Sequence, residues 1–292
     1  MKTELYSKPF KKYPSIISFL ILPFHPSSIK TSFSFIFTAW KSFIVIQNKQ
    51  KFHITRKNVV NVEHPLDEKI PFVPSNVKIY LDFVWLFCRI MAMFIVKKGI
   101  TEGVRLNKKI IRFIEGLYIR GSHIYNHALS TTKRPHYLKM FKFVVIHLFD
   151  PHLLCVPSLH VAIVVGVWAK VREILSETSF SEEEKSQILD DIYYGSIAIT
   201  ESVLFVKQHS INCVAGALYM LTASHDKGFF TEEDAKHVIN SLFLEPEYIK
   251  DGNEIQIREY IGKMYKNLIE SSRNSTDWET ALYNWLDTYK NT

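Results

Sequence analysis

The chain has 292 residues, 47% of them hydrophobic and 14% aromatic, with 36 Lys and Arg against 29 Asp and Glu for a net charge of +7. That composition excludes a disordered or low-complexity protein, and the length suffices for a buried core in one large domain or two modest ones. Three cysteines, Cys88, Cys155 and Cys213, form no CxxC pair, which excludes a disulfide framework and a structural zinc site, while the basic balance suits an anionic partner.

From the N-terminus, the run SIISFLILPF follows Lys8, Lys11 and Lys12 and imitates a signal peptide. No small-residue cleavage site follows it, so an uncleaved anchor is expected. Further apolar stretches lie at 33–47, 79–97, 141–149, 153–169, 192–206 and 211–223. The segment from Ile79 to Val96, interrupted only by Asp82 and Arg89, comes closest to the roughly 20 residues that cross a bilayer. Between Gly103 and Gly121, Val104, Ile111, Ile114 and Tyr118 oppose Arg105, Lys108, Lys109 and Arg112, the pattern either of a helix lying on a membrane or of an ordinary bundle helix. Ser181 with Glu184 forms a capping box that opens a long helix toward Phe205. Thr231 opens another helix, and Asn274, Ser275 or Thr276 caps a last one. Strand alternation and hairpin dipeptides are nearly absent, so the expected class is all-α.

Three short segments gather cations and imidazoles at helix edges: around Lys133 and Arg134, around Ser158 and His160, and around Lys207 and His209. Pro157 suits a first helical turn, which places Ser158 and His160 where unpaired N–H groups and the positive helix end face a ligand. His209 likewise heads an apolar run, so two helix N-termini are expected to converge on one anion. Fixed cations and N–H groups suit the charge spread over a transferring phosphoryl group, and an imidazole serves there as nucleophile or proton donor. The histidines between His123 and His152 show no HxxxH or HExxH spacing, so no metal is expected. The basic residues do not gather with aromatics on one polar face, so nucleic acid is not an expected partner.

The same three segments resemble the signatures of the type 2 phosphatidic acid phosphatase, or lipid phosphate phosphatase, superfamily. Pro157, Ser158, Leu159 and His160 match its second motif in full. Arg134 and Pro135 match the first, with His127 where a Lys would stand; Ser202 and His209 match the third, with Val203 in place of Arg and Cys213 in place of Asp. The resemblance covers about residues 60 to 224. It implies that His209 attacks phosphorus to form a phosphohistidine and that His160 protonates the leaving alcohol. It also implies that Arg134, with Lys133 or Lys207, holds the phosphate oxygens, and that Ser158 contributes a hydroxyl or N–H. The family's Asp orients the nucleophilic imidazole, and its loss counts against full activity.

The expectation is therefore an all-α, multi-helix bundle of the membrane lipid phosphatase type with a soluble helical C-terminal extension. Residues 1–60 form an N-terminal region with an anchor, 61–224 the phosphatase-like core and 225–292 a polar tail on the cytosolic side of a multi-pass chain. The expected activity is metal-independent and cofactor-free, as phosphatase or phosphotransferase on a phosphate monoester, a phosphorylated lipid or a small phosphate ester. The alternative is a catalytically degenerate membrane bundle that binds anionic headgroups or a partner protein.

Overall fold

The structure, a computed structural model, describes residues 8–244, 248–250, 252–273 and 275–289; Asn274, one of the three capping candidates, lies outside them. It is 69% helix and 3% strand, an all-α protein. A short helix α1 (Ile16–Ile21) and a long α2 (Ile29–Lys51), which widens to a π-helical turn over Trp40–Val45, pack on α3 (Asp82–His127).

Helix α3 is two helices. Gly99 adopts φ 76°, ψ 169°, a combination open to glycine, and the chain folds back on itself there. Asn107 Nδ2 donates to the Met91 carbonyl at 2.9 Å, a contact between residues that one straight helix would hold about 24 Å apart. At Gly103 the arms meet so closely that a Cβ would lie 2.5 Å from the Ile95 Cα. The two charges that interrupt the first arm neutralise each other. Arg89 grips Asp82 through both guanidinium nitrogens, at 3.0 and 2.6 Å, and its Nε donates to the Pro9 carbonyl. The second arm buries Val104, Ile111 and Ile114 and exposes Arg105 and Arg112, so it is a bundle helix.

Beyond α3, a two-stranded remnant of a sheet pairs β1 (Val59–Asn61) in parallel with β2 (Leu129–Thr131). Sequence alternation could not announce strands of three residues. A short α4 (Phe141–Phe149) leads into α5 (Leu159–Ser176), α6 (Glu182–Phe205) and α7 (Ile211–Ala223). The Ser181–Glu184 capping box opens α6, and a second box from Thr231 to Asp234 opens α8 (Glu232–Ser241). For α10 (Glu279–Thr288), neither Ser275 nor Thr276 is the cap: Asp277 takes the Thr280 N–H at 2.8 Å.

The polar C-terminal region packs onto the bundle. Helix α9 (Asn253–Ser272) lays Ile257, Ile261, Met264, Leu268 and Ile269 along α7 and turns Glu259, Lys263, Lys266 and Glu270 outward. Every residue of α7 from Ile211 to Leu221 is thereby buried inside protein. Of the apolar runs, two belong to helices long and apolar enough to cross a membrane, Ile29–Lys51 and Pro74–His127, and the latter contains the Gly99 reversal.

Helix α2 turns apolar side chains outward. Phe33, Ile36, Phe37, Trp40 and Ile44 form one exposed stripe, each between 37% and 61% accessible, whereas Thr31, Ser32, Ser42 and Gln47 face inward. Ser34 and Thr38 both donate to Glu115 Oε1 on α3, at 2.6 and 3.0 Å. Phe35, Phe43 and Ile46 of the same helix pack against the core, so α2 carries apolar side chains on both sides with small polar ones between. Helix α4 adds Phe141, Leu148 and Phe149, all more than 60% exposed.

Candidate active site

The two imidazoles singled out by sequence meet. His160 Nδ1 and His209 Nε2 lie 3.2 Å apart, at the wall of a cavity of about 20 Å³ that Asp150, His152, Cys155 and Gln208 also line. His160 stands in the first turn of α5. Its helix opens at Leu159, with Ser158 as the cap, so Pro157 lies just before the cap and outside the first turn.

His209 arrives by a different device. Helix α6 ends in a Schellman turn: the Gln208 amide returns to the Val203 carbonyl and the Lys207 amide to the Leu204 carbonyl, both at 3.0 Å. Lys207 occupies the left-handed position with φ 55°, where glycine is the usual residue. The reversal sets Gln208 and His209 against the head of α5.

A backbone carbonyl orients the His209 ring. Nδ1 lies 3.2 Å from the Cys155 oxygen, which can only accept, so Nδ1 carries the proton and Nε2 offers its lone pair. Ser130 on β2 fixes that carbonyl: its Oγ accepts the amides of Cys155 at 3.1 Å and Val156 at 2.8 Å, and its own amide donates to the Leu153 carbonyl. Cys213, at the position of the family's Asp, does not replace it; its Sγ accepts the Ser210 amide at 3.3 Å. Burial raises the Cys213 thiol and its neighbour Cys155 raises it further. Nothing in the sequence signals the Cys155 carbonyl, because any residue at 155 supplies one.

Burial holds His209 well below the ordinary imidazole range, and the neighbouring His160 and His152 lower it further. It also pushes His160 down to about 4, against a smaller opposing pull from Asp150. The His160 ring sits between Tyr80, at 4.8 Å, and Phe83, at 4.4 Å between centroids. Both imidazoles are therefore neutral at pH 7.

The expected cations divide. Arg134 stands behind the cavity wall, donating to Gln208 Oε1 at 3.2 Å and to the Asp150 carbonyl at 3.0 Å, with the Asp150 carboxylate 3.6 Å away. Lys133 points outward, its side chain 73% exposed and 3.6 Å from Glu63. Lys207 turns its ammonium away to the Asp67 carbonyl. His127, at the position of the motif Lys, lies elsewhere, 2.9 Å from Asp287 and stacked on Tyr283.

The helix ends differ in the same way. Ser158 caps α5, its Oγ accepting from the Val161 amide at 3.4 Å and its amide donating to the Cys213 carbonyl. The amides of Leu159 and His160 have no intrahelical partner by the geometry of a first turn, and both residues line the cavity. The α7 terminus is closed instead, because Asp67 Oδ1 accepts the Ile211 amide at 2.9 Å and Ser210 Oγ that of Asn212. One helix N-terminus, not two, serves the site. Glu201, eight residues before His209, accepts the Phe243 amide at its Oε1.

Asn212, one turn beyond His209, is clamped from the C-terminal region: Tyr260 donates to its Oδ1 and its Nδ2 donates to Tyr289, each at 2.9 Å, while Tyr289 itself donates to the Glu63 carbonyl. Asp150, Gln208, Ser130 and Asn212 are site-forming residues that motif spacing does not reveal. No protein-family model, curated protein or solved structure matches this chain.

Proposed function

We propose that the chain is a membrane-seated phosphoric monoester hydrolase or phosphotransferase working through a phosphohistidine on His209. One observation carries the reading: His209 Nε2, left with a free lone pair because the Cys155 carbonyl holds the ring's proton on Nδ1, faces His160 Nδ1 across 3.2 Å at the head of α5. In-line transfer sets phosphorus between such a pair. A near-attack contact of about 3–3.5 Å, the P–O bond itself and a hydrogen bond of about 3 Å to the leaving oxygen then require the nitrogens to separate to roughly 7–8 Å. With a cavity of about 20 Å³, the rings part as substrate enters.

His209 Nε2 attacks phosphorus as the ester P–O bond breaks, and the leaving alcohol takes a proton from His160. Because His160 is neutral at pH 7, it acts as an acid only after receiving a proton. The monoanion of a phosphate ester brings one, since its second ionisation lies near pH 6. In the second step neutral-side His160 accepts a proton from water, or from a second alcohol, whose oxygen attacks the phosphohistidine and regenerates His209. The α5 amides are the donors that line the cavity, and Arg134 acts from behind them through Gln208 and Asp150. The outward apolar stripe of α2 supports a membrane location and a lipid-linked ester.

The test is alkali-quenched labelling with a ³²P-phosphorylated lipid in detergent. Label that is present in the native chain and absent in His209→Ala supports the reading; no label above that control removes it. A second reading, headgroup binding without turnover, is favoured by the Asp150 carboxylate beside Arg134, and it gives binding of the same lipid with no label.

A further inference from the structure

A second cavity, of about 250 Å³, lies beneath α1 and α2 against both arms of α3 and against α5. Its lining is almost wholly apolar, with Phe35 and Ile36 from α2, Val84 and Met91 from the first arm of α3, Ile111 from the second and Ile163 from α5. Phe19 and Ile36, 43% and 53% exposed, stand at its mouth on the face that carries the apolar stripe. Its opening is thus on the apolar face.

The cavity adjoins the imidazole pair in two ways. Phe83 lines it and also packs on the His160 ring, and Ile163 follows His160 by three residues, about 4.5 Å along α5. Helix α2 roofs both spaces: Ile36 covers the apolar cavity, and Phe43, about 10 Å further along the same helix, lines the small polar one. A phosphate held at His209 therefore lies within reach of a greasy pocket whose mouth faces the same way as the stripe.

We propose that this cavity receives the hydrocarbon chain of a phosphorylated lipid, with α2 as the common roof of chain and headgroup. The proposal rests on the phosphoester reading for its headgroup and on the cavity alone for its chain. Sequence motifs do not point to it, because α1 and α2 lie outside the stretch that resembles the lipid phosphatases.

Two measurements separate the parts. Val84→Trp and Ile111→Phe fill the cavity from opposite walls. In each, the ratio of kcat/KM for dodecyl phosphate to that for ethyl phosphate should fall at least tenfold from the native ratio. Independently, a dodecanol bearing a terminal diazirine, photolysed with the His209→Ala protein in detergent, should attach to peptides containing Met91, Ile111 or Ile163. Adducts confined to the outward stripe of α2, or a ratio within twofold of native in both variants, overturn the chain site. Interior adducts, together with a native chain that takes up no phosphoryl label above the His209→Ala control, leave the chain site standing and remove the phosphatase reading.

Discussion

His160 Nδ1 and His209 Nε2 make a direct 3.2 Å contact while the far side of His209 is held by the Cys155 carbonyl. An imidazole pair in that state resists protonation. His160 titrates near 6.5 when unfolded and about 4 when folded, so between those values the unfolded chain binds more protons and stability rises with pH. The contribution is complete above about pH 6.5 and is lost on acidification toward pH 4, with a span of roughly 3 kcal/mol. Thermal melts of His160→Gln should therefore fall less between pH 7 and 4.5 than those of the native protein; equal falls would contradict the burial of this ring.

Activity should run the other way. If the substrate monoanion loads His160 with its proton, kcat/KM declines about tenfold per unit above the second ionisation of the ester, near pH 6. A fluorinated ester with a lower second ionisation should shift the decline downward by the same amount, as read from a pH–rate profile.

Ser130 is expected to act through the Cys155 carbonyl. Ser130→Ala leaves the Val156 amide without its acceptor, at a cost of about 1–3 kcal/mol in urea melts. Because the His209 ring then loses its fixed orientation, kcat should fall at least tenfold with KM little changed, and Ser130→Thr should restore most of it. A purely structural role would be seen as lost stability with kcat intact.

Lys207 and Arg134 should separate cleanly. Lys207→Gly relieves a left-handed non-glycine residue, worth roughly 1–2 kcal/mol, and forfeits one hydrogen bond to the Asp67 carbonyl, worth roughly 0.5–1.5 kcal/mol. Stability should scarcely move and kcat/KM should stay within threefold, whereas Arg134→Ala should lose roughly 100-fold. A large loss in Lys207→Gly would place that ammonium on the phosphate.

Gly103→Ala tests the reversal at Gly99. The added Cβ meets backbone of the opposing arm at 2.5 Å, which no side-chain rotation relieves, so a loss of about 1–3 kcal/mol is expected by denaturant unfolding. Gly262→Ala, inside α9 with nothing within 4 Å, serves as the clash-free control and should gain about 0.5–1 kcal/mol from helix propensity.

Legibility in the sequence followed the range of the interactions. Capping at Ser181 and Thr231 was readable because donor and acceptor lie three residues apart. The pairing of His160 with His209 was anticipated from helix-edge spacing and the family resemblance. The Gly99 reversal was not, because one glycine inside an apolar run carries no mark of its backbone angles. Nor were the fates of Lys133 and Lys207, whose charge is visible in sequence but whose direction is set by Glu63 and Asp67, far away along the chain. The polar C-terminal region reads as detached helices until α7 is seen to need covering on every side.

That last dependence has a consequence for biosynthesis. A ribosome that has reached residue 240 has already joined Arg134, His160 and His209 into the chain, yet the phenols of Tyr260 and Tyr289 that clamp Asn212 are still to come. The nascent chain thus carries its chemistry early and its geometry late, so turnover should switch on only once α9 and α10 have docked, and loss of the Asn212 clamp would silence the protein without touching a single reacting atom.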